Sequence, residues 1–110
     1  MNEGIYHVRF SAGAQQFGEG LAVVKGGKVN GGDPGYVYTG DIAINGGAAS
    51  ATLHIAQWNA AVKSVFGPMQ AFDLVLTGTA GVSDFTVTGH VVGQPQRQIR
   101  IHGRFVAAAA

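Results

Sequence analysis

Four histidines, six carboxylates and four serines are the residues of this chain able to do chemistry, and their spacing decides what chemistry is open to them. His7, His54, His90 and His102 fall in apolar, alternating runs, and none stands in an HxH or HExxH arrangement that would seat zinc. Glu3, Glu19, Asp33, Asp41, Asp73 and Asp84 are scattered one to a segment, so no acid and base pair is set up along the chain. Ser11, Ser50, Ser64 and Ser83 lack a GxSxG elbow, and Gly26-Gly27-Lys28 lacks the Ser or Thr and the following helix of a phosphate loop. With no cysteine there is no disulfide, no thiolate nucleophile and no thiolate metal site. The residues therefore point away from an enzyme and imply no metal and no cofactor.

The elements that position these side chains read as strands. At 110 residues the chain makes one domain, taken as 1–106 with a tail over 107–110. Charged residues are 12% and apolar ones 46%, which excludes disorder, and the eighteen glycines mark many turns. Gly4–Phe10 alternates Tyr6, Val8 and Phe10 against His7 and Arg9, the period of a half-buried strand. Strands are expected over Phe17–Lys25, Lys28–Gly31, Tyr36–Ile44, Ala49–Trp58, Phe72–Gly78, Val82–Gly93 and Gln98–Val106. A helical turn fits only Asn59–Phe66, with Asn59 as cap and Gly67-Pro68 as stop. Asp33, before Pro34-Gly35, reads as a turn residue whose carboxylate bonds nearby backbone. The fold class expected is all-β: an antiparallel closed barrel of about eight strands, calycin or lipocalin-like, with at most one short helix. No apolar run approaches the ~20 residues of a membrane helix and no secretory signal is visible, so a cytoplasmic protein is expected.

Gly4-Ile5-Tyr6, Gly18-Glu19-Gly20, Gly31-Gly32-Asp33 and Val37-Tyr38-x-Gly40 together resemble the GrlR-type negative regulators of type III secretion. The resemblance covers the first half of the chain by motif and the second half as a strand pattern. It implies a small calycin-like barrel and a non-catalytic cytoplasmic regulator that binds a protein partner, a transcriptional activator. The family's acidic stretch after the fourth strand has no counterpart here, because Ile44–Ser50 carries no carboxylate. Partner capture through that stretch is not carried over.

Two candidate sites follow from closing the barrel. Tyr6, Tyr38, Leu53, Phe85 and Phe105 are expected to share one interior, which the many inward Ala and Gly positions leave either packed or open to a small apolar ligand. A small-ligand carrier of lipocalin-like type is thus the alternative function. In the last hairpin, pairing Val87 with Phe105, Gly89 with Gly103 and Val91 with Ile101 sets His90 opposite His102. Closing β-strand one on the last strand then gathers Arg9, Arg100, His102 and Arg104 on one outer face as a partner-binding patch. No aromatic is interleaved there to stack bases, which argues against nucleic acid. Apolar outward positions such as Ile5, Val37 and Val75 predict a homodimer.

Overall fold

The computed structural model describes residues 1–13, 15–62 and 69–110, and of 15–17 the backbone alone. Eight strands close into one antiparallel barrel in chain order: β1 (Gly4–Ala12), β2 (Gln15–Lys25), β3 (Lys28–Gly32), β4 (Tyr36–Asn45), β5 (Ala48–Gln57), β6 (Ala71–Ala80), β7 (Asp84–Val91) and β8 (Gln94–Ala107). Closure comes from β1 pairing with β8, Tyr6 opposite Phe105 and Arg9 opposite His102, so every strand has two neighbours and no ladder is left open.

Alternation along each strand decides which side chains fill the barrel. On β1, Tyr6 and Val8 are buried while Arg9 is exposed, and on β6 Leu74 and Leu76 are buried while Asp73 and Thr77 face solvent. Among the described residues Tyr6, Leu74, Leu76, Val87 and Val91 are the largest side chains fully withdrawn from solvent. Where β6 meets β7 the chains approach closely: a Cβ on Gly89 would lie 1.7 Å from the Val75 carbonyl oxygen. Glycine at that inward position lets the two strands coil as tightly as barrel closure requires.

The last hairpin differs from the sequence reading. Val87 pairs with Ile101, Phe85 with Gly103 and Gly89 with Ile99, so the register is displaced by four residues. The turn lies at Val92–Gly93, where Gly93 takes φ +82°, rather than over Gln94–Arg97. His90 pairs with Gln98 and Val91 with Gln94, so 95–97 form an outward bulge that also accommodates Pro95, which has no amide hydrogen to give to a ladder. His90 therefore does not oppose His102, whose β7 neighbour is Thr86. β7 also begins at Asp84 rather than Val82, and Val82 is exposed.

No helix occurs among the described residues. Asn59 does act as a cap, its Oδ1 accepting the Ala61 N–H at 3.1 Å, and a turn follows, closed by Val62 N–H to the Asn59 carbonyl at 3.1 Å. The remainder of the expected helical stretch, 63–66, lies outside the described residues. No helix among them is long and apolar enough to cross a membrane.

Candidate functional site

The barrel interior is closed at one end by aromatic rings, and a cavity lies toward the other. At the closed end the Tyr6 ring sits 5.5 Å from that of Phe85 and 5.7 Å from that of Phe105, tilted and edge-on respectively. Phe85 lies across Gly103, where a Cβ would come within 2.1 Å of the ring. The segment preceding β1 covers these rings: Met1 packs on the core, Asn2 N–H bonds the Val82 carbonyl at 2.8 Å, and the Tyr6 hydroxyl donates to the Asn2 carbonyl. Burial, and secondarily the charge of Asp84, raises the Tyr6 phenol above its ordinary range.

Above this floor lies a cavity of about 230 Å³. Val8, Phe10, Ile42, Leu53, Leu74 and Ile101 are among the side chains that line it, and its walls are overwhelmingly apolar. Of the interior residues expected from sequence, Tyr38, Leu53 and Phe85 line this space. Tyr6 and Phe105 do not, because they stack beneath Phe85 as part of the closed end.

A polar group enters at the opposite end, where the described lining includes Asp33, Pro34 and Val62, and Glu19, whose carboxylate turns outward to His7. Asp33 behaves as the turn residue its sequence context suggests, with Oδ1 accepting the Gly35 N–H at 2.9 Å and the Tyr36 N–H at 2.8 Å. Its Oδ2 accepts the Tyr38 hydroxyl. Burial first, then this bond and the carboxylate's charge, push the Tyr38 phenol far above its ordinary range, so the ring is neutral and its proton is committed to Asp33. The loop is stitched to the end of β5: Trp58 Nε1 donates to the Asp33 carbonyl at 2.9 Å, Trp58 N–H to the Gly35 carbonyl at 3.0 Å, and Asn59 Nδ2 to the Pro34 carbonyl at 3.1 Å. Phe10 meets Tyr38 edge-on at 5.3 Å. Asp33 and Glu19 were not expected as lining residues. The signal for Asp33 lay in its parity with the inward Val29 and Gly31 of β3, and the loop's bonds to Asp33 bring its carboxylate to the Tyr38 hydroxyl.

The second site is the outer face of β7, β8 and β1. Arg9, Arg100, His102 and Arg104 are all exposed and all lie on it. In cross-strand order, Arg104 stands between Asp84 and His7, His102 between Thr86 and Arg9, and Arg100 between Thr88 and Ser11. His102 Nδ1 and Thr86 Oγ1 are 2.9 Å apart. Carboxylates border the face on both sides: Asp84 opposes Arg104, while Glu19 on β2 opposes Arg9 and lies 3.0 Å from His7 Nε2. The patch is thus a basic ridge between two acidic margins. Elsewhere Lys28 pairs with Asp41, and His54 with Asp73 at 2.7 Å, both exposed and so worth little to stability. Among the described residues no group of three or more His, Cys, Asp or Glu side chains is placed to hold a metal ion.

The barrel geometry, the short hairpins and the glycine-rich first half agree with one family, that of the type III secretion negative regulators GrlR, which matches residues 1–109. The chain belongs to the GrlR family. The match runs through β7 and β8 as well as the first half, so the region legible only as a strand pattern in the sequence is also GrlR-like. A search of curated proteins found no match.

Proposed function

We propose that this chain is a non-catalytic negative regulator of type III secretion that works in the cytoplasm by binding a protein partner, a transcriptional activator. The family match across 1–109 carries this reading. Among GrlR-type regulators an acidic stretch after the fourth strand is the expected contact, but the β4–β5 turn here, Asn45 to Ala48, has no carboxylate. The surface with the charge to replace it is the ridge of Arg9, Arg100, His102 and Arg104, which suits an acidic patch on the partner. A twofold dimer is part of the same proposal, since Leu21 and Val37 are 52% and 40% exposed and their strands carry Gly32 between them in one cross-strand row. The test is a reporter for secretion-gene transcription in a host carrying the secretion cluster. Expression of the wild-type chain lowers the reporter and recovers the activator in a pull-down; a reporter that stays unchanged overturns the reading.

The cavity favours a second reading, in which the interior holds a small apolar molecule. The two readings use different surfaces and do not compete.

A further inference from the structure

The end of the barrel opposite the aromatic floor has a chemical polarity that its apolar walls conceal. Hydrogen-bond donors around it are turned inward and used. Gly35 N–H, Tyr36 N–H and the Tyr38 hydroxyl all give their protons to the Asp33 carboxylate. Trp58 Nε1 and Asn59 Nδ2 give theirs to the carbonyls of Asp33 and Pro34, and the Tyr36 hydroxyl gives its proton to the Met69 carbonyl at 3.2 Å. What remains toward the cavity among the described residues is acceptor capacity: the lone pairs of the Tyr38 oxygen and the Asp33 carboxylate. Among the described lining residues there is no lysine, arginine or histidine. Asp33 is half-buried and its partners are neutral, so among the described residues its negative charge is met by dipoles.

We propose that the cavity takes a small aliphatic molecule with a cationic, hydrogen-bond-donating head, of which a primary alkylamine is the simplest case, and that it discriminates against fatty-acid carboxylates. This rests on the second reading above and adds the chemical class of the ligand. The tail lies among Leu53, Leu74 and Ile101, and the ammonium group sits between Asp33 and Tyr38. An ammonium has three donors and no acceptor, which complements a rim of acceptors, and its charge offsets that of Asp33. A carboxylate at the same place finds no free donor among the described residues and meets the like charge of Asp33. Size follows from the volume: at ~30 Å³ per water-sized group, about 230 Å³ accommodates about eight such groups, an octyl chain.

Calorimetric titration of the purified chain with octylamine, 1-octanol and octanoate at neutral pH separates the possibilities. The expected ranking is octylamine about tenfold or more tighter than 1-octanol, as one charge-assisted bond supplies, with octanoate weakest. Asp33→Asn, which keeps an oxygen for the Gly35 and Tyr36 amides, is expected to reduce the preference for octylamine over 1-octanol to less than about threefold while leaving 1-octanol unchanged. Tyr38→Phe, which takes one acceptor from the same end of the cavity, is expected to weaken the amine by a smaller factor, and it decides the matter if the Asp33 variant fails to fold. Octanoate or 1-octanol binding as tightly as octylamine overturns the proposed ligand class and leaves an apolar binding interior standing. If none of the three binds, the reading of the interior as a ligand site falls with it.

Discussion

The Tyr38 hydroxyl donates to Asp33, five residues earlier in the chain, and thereby ties an inward side chain of β4 to the loop that enters it. One carboxylate thus holds the loop's own amides with Oδ1 and the barrel wall with Oδ2. Removing the hydroxyl leaves Oδ2 half-buried without that donor, so Tyr38→Phe is expected to cost about 1–3 kcal/mol, readable in urea denaturation. The pH dependence has a definite sign. The folded state retains the Tyr38 proton, whereas the unfolded chain releases it near pH 10. Stability is therefore full below that pH and declines as pH rises beyond it. Denaturation curves between pH 8 and about 11.5 should show this alkaline limb, shallower in Tyr38→Phe and with a residue of it left by Tyr6.

Phe85 separates the closed end from the cavity, so Phe85→Ala joins the two spaces. The variant is expected to lose about 3 kcal/mol and to bind a fluorescent apolar probe more strongly than the wild type. Binding of the probe to neither protein means that the interior behaves as a filled core.

The basic ridge is tested by reversing two of its charges. Arg100→Glu with Arg104→Glu should weaken partner binding and flatten its dependence on salt, because opposed charges across an interface are screened within ~10 Å at moderate ionic strength. Asp84→Asn removes the carboxylate opposite Arg104 and should shift both quantities the other way. Affinity and salt slope that stay the same in all three proteins remove the ridge from consideration as a binding surface.

Self-association through the exposed row on β2 and β4 predicts a dimer in sedimentation at micromolar concentration. Leu21→Lys together with Val37→Lys should convert it to monomer with little change in thermal stability, since both side chains are solvent-facing. A wild type that sediments as monomer removes the dimer from the proposal.

The strands, their faces and the closure of the barrel were legible in the sequence because a period of two survives any local irregularity that shifts a register by an even number. The β7–β8 hairpin demonstrates this. Pro95 and its polar neighbours look like a turn, but the chain turns earlier, at Val92–Gly93, and absorbs 95–97 as a bulge. The resulting displacement of four residues changed every partner along the hairpin and left every side chain on its expected face. Arg100, His102 and Arg104 therefore point outward as anticipated, while the pairing of His90 with His102 does not occur. The interior was legible as a set of inward residues but not as a shape. Stacking of Tyr6, Phe85 and Phe105 at one end depends on how the rings pack against Gly103, and the arrival of Asp33 at the other depends on the curl of its loop.

The pairing of β1 with β8 has a kinetic meaning as well. It joins residues about a hundred positions apart, Ile5 with Ala107 at the extreme, whereas every other ladder joins consecutive strands. Folding must bear the entropy of that one long loop before the circle is complete. A circular permutant that links Ala107 to Gly4 and is cut between Gly46 and Gly47 would make this seam a local hairpin and transfer the long closure to β4 and β5. Its refolding rate, set beside that of the natural order, would report which seam of the barrel is sealed last.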